Sequence, residues 1–186
     1  MIGQSFGSML EAARGGEPWA LEAIYRDLAP AVLGYLRGQR AVEPEDLTSE
    51  VFVGVVRGLR GFQGDERGLR SWVFSIAHRR HIDERRRLAR SREDAVDPSA
   101  LAGPLAGSAV GDVEDEAAAR LGEGWAVRAL DVLTEDQRSV LLLRVLADLS
   151  VEEVARLLGK RPGAVKTLQR RALASLARHL ERQGVS

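Results

Sequence analysis

The stretch from residue 150 to residue 176 constrains the fold more than any other part of this chain. It reads as a helix, a tight turn at Gly159, and a second helix rich in cations. Gly159 stands where such a turn needs a residue that tolerates positive φ, and Ala155 is small enough for two helices to meet there. Val165 and Leu168, three residues apart, face back toward the first helix. The pattern predicts a helix-turn-helix, whose second helix enters the major groove of DNA.

The outer face of the predicted second helix and of its approach carries cations and small residues. Arg and Lys side chains there favour guanine edges. Pro162 and Gly163 start the helix and let its end approach the DNA backbone closely. The predicted base-reading and phosphate-binding set is Lys160, Arg161, Pro162, Gly163, Lys166, Thr167, Arg170 and Arg171. The alternative is an ordinary helical hairpin with a solvated basic face.

Charges are segregated along the chain although its formal net charge is zero. Seven arginines and two acids lie within residues 79–92, and eight acids with one arginine lie within residues 93–123. Residues 156–182 contain eight lysines and arginines and one acid. Two basic segments therefore flank an acidic one, and each basic segment is a candidate phosphate-facing surface.

Several classes of function are disfavoured by what the sequence lacks. With no cysteine, disulfides and thiolate metal ligands are excluded, which suits a reducing, cytoplasmic location. No apolar run reaches transmembrane length, so we expect no membrane insertion. The spacing of His78, His81 and Asp83 suggests a metal site, but the surrounding arginines would repel a cation. No phosphate loop or catalytic constellation is found, so we predict no enzyme activity, no cofactor, no metal and no small-molecule substrate.

Helical periodicity dominates the sequence, and no strand alternation of useful length is found, so we predict an all-α fold. Residues 1–92 are expected to form one helical domain, in which residues 61–68 are a loop before the fourth helix. Residues 93–122, acidic and carrying two prolines, predict a flexible linker. Residues 123–186 are expected to form a smaller helical domain, with Thr134 capping a helix.

Three motifs in this order resemble the extracytoplasmic-function sigma factors, the smallest initiation subunits of bacterial RNA polymerase. Residues 44–57 (PEDLTSEVFVGVVR) are similar to the segment that docks on the polymerase clamp. Residues 69–87 are similar to the helix that meets the −10 promoter element, and residues 133–144 with the helix-turn-helix are similar to the domain that reads the −35 element. Family members often have Asn at Arg79 and Ser at Pro162, so promoter preference cannot be copied from relatives.

The resemblance implies a protein that binds core polymerase, recognises both promoter elements and melts the DNA. The implied core-binding residues are Asp46, Leu47, Glu50, Val51 and Arg57; the alternative is a solvated helix face. Arginines of the fourth helix are expected to neutralise phosphates, and residues of the preceding loop to capture an unstacked base. The predicted −10 and melting set is Gln63, Asp65, Glu66, Arg67, Trp72, His78, Arg79, Arg80, Arg86 and Arg87. The alternative interpretations are that the loop is a simple connector and that Trp72 is a core residue.

The implied partners are the clamp of the largest polymerase subunit, the flap of the second-largest subunit, and double- and single-stranded promoter DNA. We also expect an anti-sigma partner, because the sequence has no additional N-terminal domain to hold it inactive. The acidic linker either mimics RNA in the polymerase cleft or is an entropic tether. The rival interpretation of the whole chain is a stand-alone helix-turn-helix regulator that acts without polymerase.

Overall fold

The computed structural model describes residues 6–94 and 128–183, and the predicted linker lies outside the described residues from residue 95 onward. Within the described ranges the chain forms seven α-helices and no strand, which confirms the all-α prediction. The helices are α1 Phe6–Gly15, α2 Pro18–Gly38, α3 Pro44–Gly58, α4 Glu66–Asp94, α5 Glu135–Val145, α6 Val151–Leu158 and α7 Pro162–Arg182. Short 3₁₀ turns at Leu59–Gly61 and Leu130–Val132 precede α4 and α5. None of the helices in the described ranges is long and apolar enough to cross a membrane.

Local sequence signals start five of these helices. Proline occupies the first turn of α2, α3 and α7, where its missing N–H would have no partner within the helix. Thr134 and Gln137 form a capping box at the start of α5, as predicted for Thr134. Ser150 and Glu153 form a second capping box, at the start of α6. These starts depend on neighbouring residues alone and are therefore readable from the sequence.

The first helical unit, α1 to α4, packs around a core centred on α2. Tyr35 and Phe74 are fully buried and meet edge to face, with ring centroids 5.7 Å apart. Gly58 would destabilise an isolated α3, but a Cβ atom there would lie only 2.7 Å from Cζ2 of Trp72. The glycine therefore lets the indole pack directly on the backbone of α3.

The fourth helix begins earlier than the sequence predicted. Residues 61–68 were expected to form a loop, yet α4 starts at Glu66. Oδ1 of Asp65 accepts a hydrogen bond from the backbone N–H of Gly68 at 2.7 Å, which caps the new helix. Glu66 and Arg67 consequently lie in the first turn of α4 rather than in a loop.

The second unit, α5 to α7, packs against the first. Leu142 of α5 lies over Gly38 of α2, where a Cβ atom would come within 2.8 Å of its Cδ1 atom. Beside this contact, Nε2 of Gln39 donates to Oγ of Ser139 at 2.8 Å, and both residues are only 5% exposed. Arg40 also forms an ion pair with Asp131, and Arg85 forms one with Glu135. Apolar contact, one buried polar pair and ion pairs together hold the two units side by side.

Candidate nucleic-acid interface

The helix-turn-helix has the geometry that its sequence predicts. Gly159 caps the C-terminal end of α6 and adopts the left-handed conformation with φ of 63°. The backbone N–H of Lys160 donates to the carbonyl of Ala155 at 2.9 Å and so closes the turn. Ala155 and Val165 are buried between α6 and α7, and Leu168 packs against the same core. These contacts fix the orientation of α7 relative to α6 and leave the polar side of α7 facing outward.

The outward side of α7 carries most of the predicted DNA-reading residues. Arg161, Pro162, Gly163, Lys166, Arg170 and Arg171 are exposed. Arg161 is the N-cap residue of α7, and its carbonyl accepts from the N–H groups of Ala164 and Val165. Because Pro162 has no N–H, Gly163 carries the one N–H of the first turn that lacks an acceptor within the helix. Two other members of the predicted set are engaged within the protein. Nζ of Lys160 lies 2.8 Å from Oδ2 of Asp136, and Oγ1 of Thr167 donates to the carbonyl of Gly163 at 3.0 Å.

The exposed arginines of α4 lie along one side of the helix. Arg79, Arg86 and Arg87 are exposed, and Nη1 of Arg80 lies 3.8 Å from Oε2 of Glu50 on α3. His78 instead lies partly buried, with its Nδ1 atom 2.8 Å from the hydroxyl oxygen of Tyr35. Burial lowers the pKa of His78, which keeps the imidazole neutral at pH 7. Its contact with Tyr35 therefore positions α4 on α2.

The segment before α4 is ordered by an aromatic pair. Phe62 stacks on Trp72 with ring centroids 5.2 Å apart, and Gly64 lies against the Phe62 ring with φ of 157°. Trp72 is partly buried, so it contributes to packing while keeping part of its surface open. Gln63 is exposed at the tip of the segment. A rigid aromatic platform with an adjacent amide is suited to stacking and hydrogen bonding an unpaired base.

Arg67, a predicted melting residue, lies against the helix-turn-helix. Its Nε atom donates to both carboxylate oxygens of Glu153, each at 3.2 Å. Oε2 of Glu153 also accepts from the backbone N–H of Ser150 at 2.6 Å. Burial favours a higher pKa for Glu153, but the hydrogen bonds from Ser150 and Arg67 outweigh it and the pKa falls below its usual range. The Ser-x-x-Glu spacing would have revealed the cap in the sequence, whereas the contact with Arg67 has no local signal.

The predicted core-binding segment divides into a buried and an exposed side. Leu47 and Val51 are 6% and 0% exposed, so they pack α3 against the core. Contact with a partner is therefore left to their exposed neighbours. Asp46, Glu50 and Arg57 are exposed. Val53 and Val56, which are 47% and 51% exposed on the same helix, were not among the predicted contact residues. Two valines three residues apart on an otherwise polar face were the signal available for finding them.

No cluster of metal-binding side chains is found within residues 6–94 and 128–183. His81 lies within the interface between the two units, only 2% exposed, rather than on the basic face of α4. The structure thus brings Arg79, Arg86 and Arg87 to one face of the first unit, and the α7 cations to one face of the second.

Comparisons with known proteins match both units. Residues 24–91 match the family model described as Sigma-70 region 2, and residues 124–176 match that described as Sigma-70, region 4. The chain is 31% identical over 177 residues to the ECF RNA polymerase sigma factor ShbA of Streptomyces griseus, covering 91% of this chain and 92% of that protein. It is 32% identical over 174 residues to the ECF RNA polymerase sigma factor BldN of Streptomyces coelicolor, covering 92% of this chain and 64% of that protein.

Two solved structures share the fold. CnrH in complex with the cytosolic domain of CnrY aligns with a TM-score of 0.67 at 20% identity, covering 96% of this chain and 99% of CnrH. The sigma factor RpoE of Bartonella quintana in complex with the anti-sigma factor NepR aligns with a TM-score of 0.65 at 20% identity, covering 86% of this chain and 96% of RpoE.

Proposed function

Because the chain belongs to the extracytoplasmic-function sigma factors, which direct bacterial core RNA polymerase to promoters, we propose which of its surfaces performs each step. Residues 1–92 bind core polymerase and open the −10 region. Residues 123–186 hold the −35 element. The observation that carries this proposal is the exposed cation face of α7, set beside a unit whose α4 carries a second exposed basic face.

In the −35 complex, the N-terminal half of α7 enters the major groove. Lys166 and Arg170 lie one turn apart on its exposed side and reach base edges, where Arg and Lys prefer guanine. Arg161 and the backbone N–H of Gly163 bind the phosphate backbone. Lys160 contributes after exchanging its ion pair with Asp136 for a phosphate.

In the −10 complex, the exposed arginines of α4 follow the phosphate backbone and position the protein without reading sequence. Gln63 offers an amide to the edge of an unstacked base, beside the pair formed by Phe62 and Trp72. Asp65 acts indirectly, because its carboxylate is engaged in capping α4. Fluorescence of 2-aminopurine at the upstream −10 adenine tests this assignment: a Gln63→Ala variant that melts the promoter normally contradicts it.

Core polymerase docks on the exposed side of α3. Asp46 and Glu50 are a like-charge pair at i and i+4, which is unfavourable in an isolated helix. A basic surface on the clamp of the largest subunit offsets this repulsion, while Val53 and Val56 supply apolar area. The second unit meets the flap of the second-largest subunit. As a non-catalytic subunit of the transcription machinery, the protein acts in the cytoplasm.

An anti-sigma protein controls the free sigma factor by covering one of these faces. The RpoE structure that shares this fold was solved with an anti-sigma factor. Constitutive activity of the lone protein in cells, with no partner recovered, is the result that contradicts this part of the proposal.

Transcription in vitro from a genomic library decides the overall function. Core polymerase with the protein is expected to initiate at a defined promoter set, and core polymerase alone at none of it. A stand-alone regulator predicts the opposite result, namely DNA binding without core polymerase and no new start sites. Co-purification of the protein with core polymerase separates the same two possibilities.

A further inference from the structure

A cavity of about 410 Å³ lies between the two units, where the end of α2 meets α4 and α5. Its polar lining is Gln39, Arg40, His81, Arg85, Glu135 and Arg138, and its remaining lining side chains are apolar. Three arginines from three different parts of the fold therefore line one cavity, which is partly open to solvent. The surfaces proposed above for DNA and polymerase do not use this cavity.

Two polar atoms of the lining are buried without a hydrogen-bond partner among the described residues, namely Nε of Arg138 and Nδ1 of His81. The His81 side chain is only 3% exposed, and its Nδ1 atom lies 3.7 Å from Oε2 of Glu84, beyond hydrogen-bond distance. Arg138 does donate through Nη2, to the carbonyl of Leu133 at 3.3 Å. Buried polar atoms are nearly always paired in folded proteins, so two unpaired nitrogens at one cavity indicate a place for a ligand.

The three arginines of the cavity lining differ in whether they have an acidic partner. The carboxylates of Asp131 and Glu135 pair with Arg40 and Arg85 respectively, whereas Arg138 forms no ion pair with the described residues. Burial, followed by the charge of Arg40, lowers the pKa of Arg138, and the opposing effect of Asp131 is smaller. The third acid nearby, Glu84, accepts from the backbone N–H of Val42 at 3.3 Å through Oε1, and its Oε2 atom lies 3.7 Å from Nδ1 of His81. The Arg138 guanidinium is the group left without a counter-charge.

We propose that this cavity binds a small phosphate-bearing anion, held by Arg138 with Arg40 and Arg85 around it. A planar guanidinium matches the oxygens of a phosphate group in two parallel hydrogen bonds, which an ammonium cannot do. His81 contributes an N–H from its buried Nδ1 atom. The anion is either inorganic, such as phosphate or pyrophosphate, or the phosphate end of a nucleotide, since both present the same oxygens.

The site exists only while the two units are packed together, because Arg40 and Arg85 come from the first and Arg138 from the second. A ligand that binds the packed arrangement and not the separated one stabilises the packed arrangement by mass action. The anion therefore opposes separation of the two units. This regulatory consequence rests on the proposed function, whereas binding itself does not.

Calorimetric titration of the full chain with sodium phosphate, sodium pyrophosphate and GDP, each against sodium chloride of equal ionic strength, tests the site. At least one of the three is expected to bind with one-to-one stoichiometry. Tighter binding of GDP identifies a nucleotide, and equal or tighter binding of pyrophosphate identifies an inorganic anion. Absence of binding by all three overturns the proposal without bearing on promoter recognition, because no polymerase or DNA is present.

Variants locate the bound anion. Arg138→Gln is expected to weaken binding roughly 10- to 100-fold, the loss of one charge-assisted contact. Arg85→Gln serves as a second variant if Arg138→Gln unfolds, which circular dichroism reports. The matched control is Arg26→Gln, because Arg26 pairs with Glu22 on the exposed surface of α2. Equal affinity of the wild type and both site variants overturns the proposal.

A readout independent of affinity comes from His81. Burial, then the charges of Arg85, His78 and Arg138, lowers the pKa of His81 to about 4. A bound anion beside Nδ1 raises that pKa, so the proton NMR signal of the ring titrates at higher pH in saturating pyrophosphate. An unchanged His81 titration in the presence of bound anion excludes this cavity as the binding site.

Discussion

The side chain of Arg67, in the first turn of α4, donates from Nε to both carboxylate oxygens of Glu153, in the first turn of α6. The Glu153 side chain is 10% exposed and that of Arg67 is 58% exposed, so the carboxylate is the half of the pair withdrawn from water. The contact joins a residue proposed for promoter melting to the first helix of the helix-turn-helix. Only the Nε–H of the Arg67 guanidinium is engaged in this contact, so its Nη groups stay available to DNA.

Glu153→Gln is expected to remove the pH dependence of the stability that this contact contributes. The folded pKa of Glu153 lies below its unfolded value, so its stabilisation is present above the unfolded pKa and is lost as pH falls through the folded pKa. Urea denaturation between pH 3 and pH 7 is the measurement. The wild type should be more stable than the variant at neutral pH, and the difference should shrink below about pH 4. A difference that is independent of pH contradicts this role for the carboxylate.

His81 should make the protein less stable as pH falls toward 4. Its folded pKa, about 4, lies below the unfolded value, which is roughly 6.5. The unfolded state therefore takes up the proton first, and stability is full above pH 6.5 and falls down to about pH 4. The loss is at most about 3 kcal/mol. Urea denaturation of the wild type and of His81→Phe measures it, and the variant should lack this part of the pH dependence.

Gly38→Ala is expected to disturb the contact between the units. The new Cβ atom would lie 2.8 Å from Cδ1 and 3.0 Å from Cδ2 of Leu142, which must move out of its buried position. Overpacking of this kind costs about 1–3 kcal/mol. Gly7→Ala is the control, because nothing lies within 4 Å of a Cβ atom there. In thermal denaturation, Gly38→Ala should unfold at a lower temperature than the wild type, and Gly7→Ala should unfold at the same temperature.

Arg170 and Arg86 should differ in how their loss affects promoters. Arg170→Ala is expected to cost about 1–3 kcal/mol of −35 binding and to relax one base position. Arg86→Ala should weaken binding to all promoters alike and reduce the salt dependence, as loss of a phosphate contact does. Run-off transcription from promoters that differ by single −35 base pairs distinguishes the two patterns. Equal losses across all promoters for Arg170→Ala would assign that side chain to the backbone.

Reversing the charges of Asp46 and Glu50 to Lys should abolish binding to core polymerase, because two attractive contacts to a basic surface become repulsive. Both side chains are exposed, and the ion pair of Glu50 with Arg80 is a surface pair that contributes little to stability, so folding should be retained. Glu22→Lys, also an exposed acid on a helix of the same unit, is the matched control. Co-sedimentation with core polymerase is the measurement, and normal binding by the double variant would reassign the docking surface.

Most of the fold was predictable from residues that lie close together in the sequence. The rest depends on contacts between residues that are distant in the sequence. The turn at Gly159 and the cap at Thr134 were predictable because backbone conformation and capping depend on residues a few positions apart. The true start of α4 was missed because Asp65 caps it, a signal that the surrounding glycines obscured. The burial of His81 was not predicted, because it depends on a second unit that packs over it.

The hydrogen bond between Gln39 and Ser139 has a further consequence for the two units. Both side chains can exchange their bond to one another for bonds to water, so a typical pair of this kind favours association by only about 1 kcal/mol. An apolar pair in the same place would leave sticky surfaces on both halves whenever they came apart. The Gln39–Ser139 pair therefore adds no apolar surface to that which the contact of Leu142 with Gly38 exposes when the units separate.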